Sequence, residues 1–385
     1  MAYAKDRSYL DADSHLMERP DFLRDFAEAK VRDRLQPLYG GDQDKNTANW
    51  QETIAQPGHS EEKVAEMIAL GDSLIAGPKG YLALGAFNST ERAQALNQLG
   101  FGEQLVFATF SPLQALHGDD LPLKYGAAAA HNRAMADFCG ADSRLHGVGI
   151  LPLDDPASAV VELENLLALD LRAAWVSHEA CGGRSPGHND FDPIWARLAE
   201  AKVPVVLHVG GEPLQVAPKW MNTGRPIPTD WLGGGENVRA KDMLALHHNV
   251  ELFLGAMIFD GVFERHRSLR AGAIELGAGW VPSWLRRLDW TQQIWRKEPD
   301  IAGLTRSATE TAIEHLGFTP FVYEDVGRLM KESDDRLYLF SSDYPHFEGS
   351  KNPIERFERF LADATVPEIS KQRFYEDNFR RLFRE

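Results

Sequence analysis

The sequence predicts an α/β fold, a (β/α)8 TIM barrel with an insertion after its first strand. Two observations predict it. From about residue 105 onward, short apolar runs alternate with longer amphipathic segments, the pattern of repeated βα units around a parallel sheet. A chain of 385 residues, 43% of them hydrophobic, also suits one large core with insertions better than several small ones. A single domain over 1–385 is therefore expected.

Strands are expected at 8–15, 104–109, 145–153, 172–178, 203–209, 269–276, 320–326 and 336–342. Between them, 3.6-residue periodicity predicts helices over 128–138, 156–169, 193–202, 241–266, 281–296 and 353–362. Residues 21–88 break the rhythm. Rich in Gly, Gln, Asp and Pro and containing Trp50, they read as an insertion able to lid the open end of the barrel. A second irregular stretch, 210–238, holds Pro213, Pro218, Pro226 and Pro228 and the run Gly233, Gly234 and Gly235. It follows the fifth strand, where barrel loops build the functional face. The glycines lack phosphate-loop spacing, so the run reads as a mobile loop.

Charge and cysteine count narrow the partners. With 41 basic and 57 acidic residues the formal charge is -16, which repels nucleic acid and anionic lipid and leaves a small molecule as the expected partner. Cys139 and Cys181 are too few for a disulfide framework or a thiolate zinc site, so a metal would have to rely on His and carboxylate. The start MAYAKDRSYLDADSH has no apolar signal core, and no later stretch approaches the ~20 apolar residues of a membrane span. A cytoplasmic protein is expected.

In a parallel barrel, side chains from many strands converge only at the carboxyl end of the sheet, so polar residues at strand ends are the ones to collect. The first strand ends in Asp11-Ala12-Asp13-Ser14-His15, and the period of two puts Asp13 and His15 on one face. The fifth apolar run ends in His208, and the eighth in Ser342-Asp343-Tyr344-Pro345-His346. Singly, such an Asp is a turn cap and such a His a core residue. Three strands ending in oxygen or nitrogen ligands at one face point instead to a metal held by Asp13, His15, His208 and Asp343.

These residues resemble the amidohydrolase-related (amidohydrolase 2) family, which includes aminocarboxymuconate semialdehyde decarboxylase. The marks are DADSH at 11–15, VVLHVGG at 205–211 and FSSDYPH at 340–346, with further similarity at HNRAMADFC (131–139), GVGILPL (147–153), FDPIWARLAE (191–200), GVFERHRSLR (261–270) and ELGAGWVPSWLRRLD (275–289). The resemblance covers about 8–16 and 89–385 and leaves the insertion outside. Two departures stand out: Asp13 replaces the usual first His of the pair, and Glu275 stands where many decarboxylases of the family carry a catalytic His.

The resemblance implies one divalent metal, Zn2+ first with Mn2+ or Fe2+ as alternatives, and a homodimer. Asp343 would be both ligand and proton carrier, with Glu275 and His178 as acid/base groups or as braces that orient a ligand. The expected activity is hydrolysis of an amide, lactone or related carboxylic derivative by a metal-activated water. The alternatives are non-oxidative decarboxylation of an aromatic or unsaturated acid, and a barrel kept for binding without catalysis. His346, Phe347, Trp50 and Arg184 are placed near the pocket by loop position. His247 and His248 are assigned to a helix, and Trp280, Trp284 and Trp290 to core packing.

Overall fold

The computed structural model describes residues 2–38, 47–212, 216–226 and 238–383. Seven strands, all parallel, follow one another in chain order: β1 (Leu10–Leu16), β2 (Glu103–Ala108), β3 (Leu145–Ile150), β4 (Ala173–Trp175), β5 (Val205–His208), β6 (Ala271–Ile274) and β7 (Leu316–Phe318). Every strand is buried along its whole length, as expected of a parallel sheet covered by helices. The strands expected at 8–15, 104–109 and 203–209 lie here within about two residues of the expected ends.

The sheet curls until its edges meet. Segment 338–344 bridges β7 through Phe318 and Tyr338, and β1 through Ser14 and Tyr344. Backbone bonds from Leu339 N–H to Phe318 O (2.9 Å), Ala12 N–H to Phe340 O (3.0 Å) and Asp343 N–H to Asp13 O (2.9 Å) line this seam. Asp11 holds it from within. Its carboxylate accepts from Ser342 N–H (2.8 Å), Ser342 Oγ–H (2.6 Å) and Gln104 Nε2–H (2.8 Å), tying β1, β2 and segment 338–344 at one buried point.

Three expectations are corrected. The strand expected at 320–326 is absent; β7 lies earlier, following helix Ala308–His315 without a loop, and Pro320 falls beyond its end. The long helix expected over 241–266 is three helices, Ala240–Ala245, His248–Phe259 and Val262–Arg265, the last break falling at Gly261 with φ +70°. Trp280 and Trp284 are core residues, but Trp290 is 59% exposed, because it lies on the outer face of helix Val281–Ile294. Within 21–88 the described residues form short helices, among them Phe22–Phe26, Thr47–Ile54 and Glu61–Ala69. Pro213, Pro228 and Gly233 to Gly235 lie outside the described residues, as does the side chain of Trp50. No helix among the described residues is long and apolar enough to cross a membrane.

Asp11→Ala would strip four buried donors of their acceptor, Asp13 N–H (3.3 Å) being the fourth. Each buried group left unsatisfied costs roughly 1–3 kcal/mol, so a total loss of several kcal/mol is expected in urea unfolding. A loss below about 1 kcal/mol would show that the seam does not depend on Asp11.

Candidate metal centre

Asp13 and His15 leave the end of β1 on one face, His208 is the last residue of β5, and Glu275 is the first residue beyond β6. Their ligand atoms all lie within 4.8 Å of one another, and a second, overlapping group is formed by His15, Glu275, Asp343 and His346. His15 Nε2 is 3.4 Å from Asp13 Oδ1, 3.5 Å from Glu275 Oε2 and 3.5 Å from Asp343 Oδ1. His208 Nε2 is 3.3 Å from both Asp13 Oδ1 and Glu275 Oε2. These spacings suit an ion. Ligands about 2.0–2.2 Å from a tetrahedral centre stand about 3.3–3.6 Å apart, longer than a good hydrogen bond. Consistent with that, the buried atoms His15 Nε2, Asp343 Oδ1 and His346 Nδ1 have no hydrogen-bond partner.

The remaining ring nitrogens explain the orientation. His15 Nδ1 lies 3.1 Å from Ala108 O and His208 Nδ1 2.7 Å from Val209 O. A carbonyl only accepts, so each Nδ1 carries a proton and each Nε2 is the nitrogen left to face the cluster, that of His208 within hydrogen-bond reach of Asp13 Oδ1 (3.3 Å). Glu275 and Asp343 both adopt the left-handed conformation, each at φ +53°, which bends them out of their strands. Thr319 Oγ1 accepts from Glu275 N–H (2.8 Å), and the Glu324 carboxylate accepts from Ala278, Gly279 and Phe321 N–H, fixing the turn that follows.

Electrostatically the group is short of positive charge. Burial pushes the Asp343 carboxyl up to about 7, with Asp13 adding to the shift and His15 offsetting part of it. Burial opposes ionisation of Asp13 and His15 as well, yet each is overruled by its neighbours: His15 and His208 hold Asp13 below the usual carboxylate range, and Asp13 and Glu275 hold His15 well above 6.5. Protons gathered this way occupy the role a divalent cation would take, since imidazole and carboxylate ligands bind metal in their deprotonated forms.

Of the residues expected from the sequence, Asp13, His15, His208 and Asp343 fall in these groups. Glu275, expected as an acid/base group, stands among the ligand atoms. His178 stands outside both groups, with Nε2 3.0 Å from Glu212 Oε1 and that carboxylate held by Asn249 Nδ2. A Cβ on Gly211 would lie 3.2 Å from His178 Nδ1 and 2.9 Å from Trp175 Nε1, so only glycine admits this close approach. Arg184 is turned to Asp190 (2.9 Å), and Phe347 is 56% exposed. His247 stacks on Trp280 within its helical surroundings. Both cysteines are buried and free, their thiols pushed by burial up to about 12 and so kept unreactive. Sequence reasoning missed Thr109 and Glu18. The buried Glu18 carboxylate accepts from the N–H groups of Thr109, Phe110 and Ser111 and so shapes the turn after β2. Glu18, three residues past His15, was legible only as a charge beside an apolar strand.

Beside the cluster lies a cavity of about 290 Å³ that shares Asp13, Glu275 and Asp343 with it and is otherwise largely apolar, with Val209, Met243, Leu246, Phe321 and Tyr323 in its wall. The Phe321 and Tyr323 rings stack at 5.3 Å. An apolar pocket with a few converging polar groups is the usual form of a small-molecule site.

A curled parallel α/β sheet with imidazoles and carboxylates gathered at its carboxyl end defines a class of barrel enzymes that work with a divalent metal. The chain belongs to the Amidohydrolase family, whose sequence profile matches residues 91–384. It is 25% identical over 182 residues to the decarboxylase OrsB of Emericella nidulans, a match spanning 46% of this chain and 50% of that protein. Among solved structures, an amidohydrolase from Mycobacterium avium subsp. paratuberculosis K-10 aligns with a TM-score of 0.73 and 23% identity over 99% of this chain and 98% of its own. A 5-carboxyvanillate decarboxylase from Novosphingobium aromaticivorans, complexed with manganese and 4-hydroxy-3-methoxy-5-nitrobenzoic acid, aligns with a TM-score of 0.63 and 16% identity over 99% and 97%.

His208→Ala removes one nitrogen at the mouth and little core volume. It is expected to lower metal affinity more than about ten-fold with the fold retained, measured by elemental analysis and circular dichroism. Glu275→Gln should also reduce metal occupancy. Wild-type occupancy in that variant would return Glu275 to the acid/base role.

Proposed function

We propose that the protein is a metal-dependent decarboxylase of an aromatic carboxylic acid, with hydrolysis of a carboxylic derivative as the second reading. The observation that carries the proposal is the juxtaposition of the ligand cluster with an apolar cavity whose wall includes the stacked rings of Phe321 and Tyr323. A flat apolar acid suits such a wall, and its carboxylate would meet the cluster. The decarboxylases among the similar proteins support the same reading, which displaces hydrolysis from first place.

The donors Asp13, His15, His208 and Asp343, with Glu275 beside them, fit a divalent metal, Zn2+ or Mn2+ both agreeing with imidazole and carboxylate ligands. When bound, that ion supplies positive charge to fix and polarise the substrate's carboxylate. The chain's own residues do the rest. Asp343, which stands both in the ligand cluster and in the cavity wall, carries the proton that goes to the ring carbon. The carbon–carboxyl bond breaks, CO2 leaves, the ring carbon gains the proton and Asp343 becomes a carboxylate. Glu275, on the opposite strand end, is the alternative donor. Val209, Leu246 and Phe321 exclude water from the reacting carbon. His178, braced by Glu212, serves as an orienting group on the β4–β5 side.

We assign the whole chain to a single barrel domain, with segment 338–344 as its eighth strand and 21–88 as an insertion packed beside the mouth, where Gly80 N–H bonds Pro345 O (2.8 Å) and Tyr344 OH bonds Leu84 O (2.9 Å). Small-molecule chemistry in the cytoplasm remains the expected setting.

A panel of hydroxylated benzoic acids, assayed for CO2 release beside ester, lactone and amide substrates, tests the reading. CO2 release that disappears on chelation and returns with Zn2+ or Mn2+ is expected. Metal-dependent hydrolysis without CO2 release from any acid would establish the second reading instead.

A further inference from the structure

His346 follows Asp343 by three residues, is fully buried, and lies with its ring stacked on that of His15 at 3.8 Å between centroids. Its two nitrogens meet different surroundings. Nε2 is 2.9 Å from Thr109 Oγ1, and Nδ1 is 3.1 Å from Asp343 Oδ1. The obvious reading makes His346 a brace that donates a hydrogen bond to Asp343. The hydrogen-bond pattern opposes it.

Thr109 has one hydroxyl proton. Its Oγ1 donates to Leu16 O (2.9 Å), an atom that can only accept, with Met17 Sδ as a more distant acceptor at 3.6 Å. The contact with His346 must then be donated by Nε2–H. A neutral imidazole has a single N–H, so Nδ1 presents a lone pair to the cluster. Reversing the tautomer would break the Thr109–Leu16 bond. It would also turn Nδ1–H towards an Asp343 oxygen that, despite the 3.1 Å separation, meets it in no hydrogen-bond geometry: both atoms are buried without a hydrogen-bond partner. Thr109 itself is fixed from behind, because the buried Glu18 carboxylate takes its N–H at 2.8 Å.

Two electron-rich atoms 3.1 Å apart that do not aim at each other in a hydrogen bond repel unless a cation lies against both. That separation is also the edge between neighbouring ligands about 2.2 Å from one ion at a right angle. We infer that His346 is a direct metal ligand through Nδ1, set in that role by the Thr109 hydroxyl, and not a brace of Asp343. The inference rests on the metal-dependent reading of the site. It adds a third imidazole to those of His15 and His208, and it makes Thr109 a positioning residue.

The test uses the chelator-stripped full chain titrated with Mn2+ alone, so it does not depend on the substrate or on whether the reaction is decarboxylation. Pulsed electron paramagnetic resonance on the loaded protein, with histidine nitrogens labelled, counts the imidazoles bound to manganese. Three are expected in the wild type and two in His346→Phe, which preserves the ring stacked on His15, together with an affinity loss of at least ten-fold. Two in both proteins, with equal affinity, overturns the inference. Thr109→Val removes the hydroxyl at nearly constant shape, and it decides the matter should His346→Phe not fold. Loss of the third nitrogen signal, or several-fold weaker Mn2+ binding, is expected, with recovery in Thr109→Ser. Wild-type coordination and affinity in Thr109→Val would remove Thr109 and its tautomer control. A wild-type protein that binds no Mn2+ at all would instead overturn the metal-dependent reading itself.

Discussion

Three carboxylates and three imidazoles packed together out of reach of water impose the central constraint on this molecule. Charges of one sign cannot be buried without compensation, which in the interior costs several kcal/mol per ion. Around the cluster the second nitrogen of each imidazole is already committed: carbonyls take those of His15 and His208, and Thr109 takes that of His346. What is left pointing inward are lone pairs and carboxylate oxygens. The backbone is bent to keep them there, and the seam held by Asp11 places Asp343 opposite Asp13 and His15. The fold thus behaves as a frame whose inward-facing donors suit a positive charge.

Much of this frame was legible in the sequence. β2 and β5 are apolar runs, and an apolar run ending abruptly in His or Asp marks a strand whose last side chain faces the mouth, while in β1 the alternation of Asp11, Asp13 and His15 marks the strand. Asp13, His15, His208 and Asp343 were readable for that reason. β7 was not, since three residues directly behind a helix carry no period, and the apolar residues after Pro320 gave a stronger but false signal. The breaks at Leu246–His247 and Gly261 were hidden because the apolar residues of 241–266 continue across them.

Glu275 and His346 were named from the sequence in other roles and Glu18 and Thr109 were not, and all four share a physical reason. Glu275 reaches the ligand atoms because its backbone turns left-handed just past β6, and His346 matters through which of its nitrogens carries a proton. Neither turn conformation nor tautomer leaves a trace in residue spacing. Glu18 and Thr109 belong to the same category. Their importance lies in long-range hydrogen bonds, across 91 residues in one case and 237 in the other.

The left-handed backbone at Glu275 and Asp343 bears on how the protein can change over generations. Non-glycine residues in that region are strained by about 1 kcal/mol or more, and a long side chain such as Glu relieves none of it. Glycine at either position would relax the chain, and asparagine at 343 would sit there comfortably, so variants that discard the acid stand to gain stability as they lose chemistry. Homologous chains that have abandoned catalysis would then be drawn towards Gly or Asn at these two positions by thermodynamics alone. Under the proposed function, which calls on both acids, these two positions would tell relatives that keep the chemistry from those that do not.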